Sequence, residues 1–97
     1  MTKFGELIEV ETPILINFYK AEKSSESILK TLKEVSVIIG QKAKIIKIDI
    51  AKNELLADAL KIKGNNTYVI YKEGEMKWRQ SGETTSEILV QTLLQFM

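Results

Sequence analysis

The sequence predicts an α/β fold, a three-layer α/β/α sandwich around a mixed sheet of four strands. Three observations lead there. Ile14-Leu15-Ile16-Asn17-Phe18-Tyr19 is a nearly unbroken apolar run of strand length, the pattern of a strand buried on both faces. A helical segment separates it from a second strand-like run, Ala43 to Ile50, and such a unit needs a right-handed crossover between parallel strands. Lys72-Glu73-Gly74-Glu75 marks a tight turn between two further β segments, and so short a connection makes them antiparallel.

Taken in order, Phe4, Leu7 and Ile8 have the spacing of a short amphipathic helix interrupted by Gly5. Pro13 introduces the first strand, whose one polar interruption is Asn17. Ser24 or Ser25 caps the next segment, with Glu26 meeting the helix dipole in its first turn. Ile28, Leu29, Leu32, Val35 and Ile39 follow at helical spacing, and Gly40 ends the helix. In Ala43 to Ile50, Ile46, Ile48 and Ile50 share one strand face while Lys47 and Asp49 take the other. Asn53 opens a shorter helix marked by Leu55, Leu56, Ala59 and Leu60, closed by Gly64. Tyr68 to Tyr71 is a β segment paired through the turn with Met76-Lys77-Trp78-Arg79, where Trp78 is expected to share a face with Met76. Thr85 or Ser86 caps a final helix carrying Ile88, Leu89, Thr92, Leu93 and Phe96 on one side. Without repeats, low-complexity tracts or linkers, residues 1–97 are expected to form a single domain.

Composition narrows the chemistry. The 97 residues carry 14 basic and 13 acidic side chains, no His and no Cys. A chain without Cys has no disulfide, dithiol couple, thiolate nucleophile or cysteine metal site. Without His it has no imidazole relay or ligand, and no cofactor or metal is expected. A net charge of +1 argues against a nucleic-acid partner, and Lys42, Lys44 and Lys47 read as a solvated edge. No stretch approaches the roughly 20 apolar residues that span a bilayer, so no membrane association is expected. Met1 to Glu6 lacks the apolar run of a signal peptide, and the expected compartment is the cytoplasm.

From about Phe4 to Phe96 the chain resembles the thioredoxin family. Residues 13–19, Pro-Ile-Leu-Ile-Asn-Phe-Tyr, resemble the family's first core strand, P-V-L-V-D-F-W or similar. Lys47 to Asn53 is similar to its K-V-D-x-D-x-N segment. Ile62 to Glu75 is similar to I-x-G-x-P-T followed by a strand and K-x-G-E, and Gly82 has its counterpart before the final helix. The departures fall where the family carries its redox chemistry. The W-C-G-P-C motif aligns with Glu22-Lys23-Ser24-Ser25-Glu26, placing Lys23 and Glu26 at the cysteine positions. A one-residue slip places Ser24 and Ser27 there instead. Neither pair exchanges a disulfide, which requires a thiolate. The family's cis-proline aligns with Asn66. A cis bond at a residue other than proline costs roughly 2.5–4 kcal/mol, so Asn65–Asn66 is expected to be trans. The buried proton-accepting aspartate aligns with Asn17, which keeps a similar shape but does not titrate.

The expectation is therefore a redox-inactive thioredoxin-like protein that is not an enzyme. Lys23 and Ser24 could support acyl transfer only if the lysine were desolvated, and Lys20, Glu22 and Glu26 keep that loop wet. The serines read more simply as helix caps. The resemblance implies a groove for a protein or extended peptide, formed by Tyr19, Glu22, Lys23 and Ser24 on one side and Asn65, Asn66 and Gly82 on the other. An alternative with the same ancestry binds the clients of a thioredoxin system without disulfide exchange. Trp78, on the expected edge strand, reads either as packing beneath the final helix or as an exposed anchor. The anchor reading goes with a monomer, or a weak homodimer through that edge.

Overall fold

The structure, a computed structural model, describes residues 11–20, 26–62, 66–82 and 84–97. The expected helix around Phe4, Leu7 and Ile8, the caps Ser24 and Ser25, and Gly64 lie outside the described residues. The elements run β1 (Ile14–Tyr19), α1 (Glu26–Ile39), a short 3₁₀ turn (Gly40–Lys42), β2 (Lys44–Asp49), α2 (Glu54–Ala59), β3 (Thr67–Lys72), β4 (Glu75–Ser81) and α3 (Ser86–Gln95). They form one mixed sheet in the order β2-β1-β3-β4. β1 pairs parallel with β2, from Ile14 opposite Lys44 to Tyr19 opposite Asp49. It pairs antiparallel with β3, from Ile14 opposite Tyr71 to Phe18 opposite Thr67.

This central position explains the apolar run. Ile14, Ile16 and Phe18 enter one core with Val69, Tyr71, Ile50 and Ile62, covered by Ala57, Leu56 and Leu60 of the α2 region. Leu15 enters a second core on the opposite face with Tyr68 and Ile70, covered by Leu32, Val35 and Ile39 of α1 and Leu89 and Leu93 of α3. Two cores on the two faces of one sheet make the expected three layers. The helix ends also follow local chemistry. Gly40 takes a positive φ of 63° after α1, and Thr85 caps α3 by accepting the Ile88 amide at 3.2 Å.

Several apolar positions turn out differently from their spacing. In α2 it is Leu56, Ala57 and the following Leu60 that pack, while Leu55 is 89% exposed. At less than two turns, that helix has too little period to fix its buried side. Asn53 stands at its N-cap, yet its Nδ2 donates to the Asp49 carbonyl and its side chain caps no amide. Leu29 and Ile88 lie at the margins of their helices and are exposed.

The hairpin holds the main correction. Ile70 lies opposite Trp78 but Tyr71 lies opposite Met76, so Lys77 is an extra residue in β4. Cross-strand partners share a face. Trp78 therefore joins Ile70 in the second core, whereas Met76 follows Tyr71 to the other side. The two do not share a face, because a bulge breaks the alternation on which that expectation rests. Trp78 is half-buried against the core beneath α1 and α3. The turn itself has φ of 53° at Glu73 and 83° at Gly74, the two positive angles of a type I′ hairpin.

Glutamate is poorly suited to that left-handed position, which Asn adopts more readily. Glu73→Asn is expected to stabilise the fold by about 0.5–1 kcal/mol, a rise in Tm of roughly 2–8 °C. Thermal unfolding followed by circular dichroism checks this, and a fall in Tm would show that the Glu73 side chain makes a compensating interaction.

Candidate functional site

β1 ends, β3 begins and β4 ends at one end of the sheet, and the residues of interest collect there. Asn17 stands two residues after Leu15, on the same strand face, and therefore points to the α1 and α3 side, between Lys47 on β2 and Tyr68 on β3. It is 1% exposed, and among the described residues its Nδ2 has no hydrogen-bond partner. An amide buried in this way bears a desolvation cost without the usual return. Two residues on, Tyr19 is half-buried, and the Lys47 ammonium sits 5.7 Å from its ring centroid in a cation–π contact. That contact ties the end of β1 to the exposed strand β2.

Across the sheet, the Asn66 carbonyl accepts the Gly82 amide at 2.7 Å, joining the segment before β3 to the one after β4. Gly82 has φ of 87°, and no atom lies within 4 Å of where a Cβ would stand. Its backbone conformation, and not lack of room, is what favours glycine. The Asn66 Oδ1 and the Thr84 Oγ1 are both buried without a partner among the described residues. Thr84 carried no signal of its own in the sequence beyond standing just ahead of the Thr85 cap. Glu22, Lys23, Ser24 and Asn65 lie outside the described residues, and with Asn65 goes the Asn65–Asn66 peptide. Glu26 and Ser27, from the two alignments of the motif, are the first residues of α1.

Arg79 is the residue that sequence reasoning missed. Its guanidinium reaches from β4 to the end of α2, donating through Nη1 to the Leu60 carbonyl and through Nη2 to the Lys61 carbonyl at 2.9 Å. Those carbonyls belong to the helix's unsatisfied C-terminus, and one planar fork serves both. Lys61 there has a positive φ of 58°. Arg79 thus anchors the turn that leads toward Asn66. Burial pushes the nearby Tyr71 phenol above its ordinary pKa, with the Arg79 charge opposing that rise. A lone charged residue on an edge strand gives no sequence sign of a partner 18 or 19 residues away.

The comparisons with known proteins agree with this geometry. No family model matches the chain. Thioredoxin Y, chloroplastic, of Oryza sativa subsp. japonica is 31% identical over 94 residues, covering 95% of this chain and 56% of that protein. Taken with the four-stranded sheet and its two helical layers, this supports a thioredoxin-family domain. The chain is thioredoxin-like in sequence and fold. Thioredoxin Y1, chloroplastic, of Arabidopsis thaliana is 28% identical over 88 residues, 90% of this chain and 51% of that protein. The chain thus spans about half the length of these curated relatives. Among solved structures, the germline-specific thioredoxin protein Deadhead of Drosophila melanogaster superposes with a TM-score of 0.79 at 20% identity, covering 90% of this chain and 83% of that one. That likeness is one of fold. This thioredoxin-like domain has no cysteine anywhere in its 97 residues.

Two outcomes follow from this geometry. Asn17→Asp puts a carboxyl into a buried position, where burial raises its pKa above the unfolded value near 3.9. The raised pKa favours the protonated folded form. Stability is therefore fully present below about pH 4 and falls as pH rises to the folded-state pKa, by about 1.4 kcal/mol for each unit of elevation. Urea unfolding from pH 4 to pH 8 measures it, and a flat profile would mean that hidden donors satisfy the carboxylate. Arg79→Met is expected to cost about 1 kcal/mol, and Arg79→Lys to recover less than half, because an ammonium lacks the fork. Full recovery by lysine would reduce the interaction to charge alone.

Proposed function

We propose that this domain is a redox-inactive thioredoxin-like protein that binds a protein or extended peptide across the sheet end where its relatives carry their motif. The observation that carries the reading is the unspent hydrogen-bonding capacity there. Among the described residues the Asn66 Oδ1 and Thr84 Oγ1 are buried and unpartnered, with the Asn17 Nδ2 in the same state behind them. Buried polar groups in native proteins are nearly always satisfied, so three atoms without partners among the described residues favour a local rearrangement of this sheet end on binding that opens them to a partner's groups. An extended chain supplies such groups through its own amides and carbonyls. Disulfide exchange by these 97 residues is chemically closed, since the reaction begins with a thiolate and the sequence has none. Asn17 takes up no proton in the aspartate's place.

The edge strand β4 supports a monomeric module. Its bulge at Lys77 and the exposed charges of Glu75, Lys77 and Arg79 are features that discourage edge-to-edge pairing. Lys77 and Glu75 also pair at 2.7 Å, which holds the Glu75 carboxyl below its ordinary pKa.

Two measurements test the reading together. In an insulin-reduction assay the domain should leave the dithiothreitol background unchanged, and clear turnover would overturn redox inactivity. In pull-downs, partner recovery by the wild-type domain should fall about tenfold for a Lys23→Glu, Asn66→Pro double variant. Equal recovery would show that the groove is idle, and selective loss with Trp78→Ala would move the interface to the sheet edge.

A further inference from the structure

The outer face of α1 carries a feature that the sheet-end site does not use. Ile28, Leu32, Val35 and Ile39 take the inner face. On the side turned away from them, Lys30, Lys33, Glu34, Val37 and Ile38 line a shallow groove of about 460 Å³. Val37 is 76% exposed and Ile38 62%, both β-branched residues standing in water on a helix that already has a complete apolar face. Their spacing of three, four, seven and eight residues from Lys30 makes a second stripe along the same helix, roughly 12 Å long at 1.5 Å per residue.

The charges on that stripe are unbalanced. Glu34 stands four residues after Lys30, yet its carboxylate accepts the Ser86 hydroxyl of α3 at 3.3 Å and makes no ion pair with either lysine. Among the described residues, Lys30 and Lys33 have no hydrogen-bond or ion-pair partner. An apolar strip flanked by two free ammonium groups calls for an occupant with apolar residues in a row and carboxylates beside them. A second copy of the domain would bring the same excess of positive charge, two lysines to one glutamate, against itself. An anionic membrane would find only two large apolar side chains to receive, too little for stable insertion. A helix fits better, because rows spaced three and four residues apart pack into matching rows on another helix.

We propose that the outer face of α1 docks an acidic amphipathic helix of a partner protein, with Val37 and Ile38 receiving its apolar row and Lys30 and Lys33 its carboxylates. The probe is a fluorescein-labelled synthetic helix of about four turns, leucine along one face and glutamate on its flanks. Its controls are a peptide with every glutamate replaced by lysine and a scrambled peptide. Fluorescence anisotropy should show saturable binding of the acidic peptide alone, weakened about tenfold or more by Lys30→Glu with Lys33→Glu, and likewise by Val37→Ser with Ile38→Ser. Amide shifts in the wild-type domain should centre on residues 30–38, a readout that stands even if a variant fails to fold. The proposal is overturned by no saturable binding, by equal binding of either control, or by shifts centred on Asn66 and Gly82. It is also overturned if sedimentation shows self-association that Val37→Ser abolishes, or if phosphatidylserine vesicles bind this face and the peptide does not. Asn66→Pro should leave peptide binding unchanged, which separates this surface from the sheet-end groove.

Discussion

Burial of β1 on both sides is the constraint on which the rest of this domain depends. From Ile14 to Phe18 every residue is enclosed, because β1 lies between β2 and β3 and its two faces feed two separate cores. A strand in that position has no solvent side to receive a polar residue, so any polar group it carries must be satisfied from within or remain a cost. The helices follow from this. α1 and α3 are needed to cover Leu15, Tyr68 and Ile70, and α2 with Ile50 and Ile62 to cover Ile16, Phe18 and Val69. The Ser86 hydroxyl of α3 meets Glu34 of α1, so the two covering helices are also joined at their outer margin.

Asn17 is the test of that constraint. In the thioredoxins that the sequence resembles, an aspartate at this point of the strand exchanges protons with the thiol chemistry beside it. A buried carboxyl is expensive to ionise, and the expense is useful only while something nearby accepts or returns a proton. Where the thiols are gone, an amide of the same shape preserves the packing between Lys47 and Tyr68 without a titrating group. The replacement is consistent with the empty cysteine positions, and it leaves the Nδ2 unsatisfied.

Most of the architecture was legible because it depends on patterns that a sequence displays directly. The continuous apolar run of β1, the period of α1, the Glu73-Gly74 turn and the Thr85 cap are each written in adjacent residues. Illegible features depend on register or on distance. One extra residue, Lys77, reverses the face of Met76 relative to Trp78, and nothing in Met76 to Arg79 marks a bulge. Leu55 looks as apolar as Leu56, and only the docking of α2 decides which one packs. Asn17, Asn66 and Gly82 were visible as positions in a family pattern, but the orphaned state of two of them, and of Thr84, is a property of the folded environment.

Arg79 shows how the same fold connects its edge to its site. β4 is held to the sheet on one side only, through β3, and its free edge adds no stability to the fold. The guanidinium compensates by reaching over the sheet to the end of α2. Because α2 has less than two turns, its own hydrogen bonds and its small apolar contribution hold it weakly, and the two carbonyls at its end would otherwise face solvent. One side chain therefore joins the outermost strand to the smallest helix. Beyond Ile62 the next described residue is Asn66, itself fastened to the far end of β4 through the Gly82 amide. β4 thus grips the connection into β3 from both ends, once by a side-chain fork and once by a backbone bond. The geometry of this end of the sheet is set by that double hold as much as by the residues that line it.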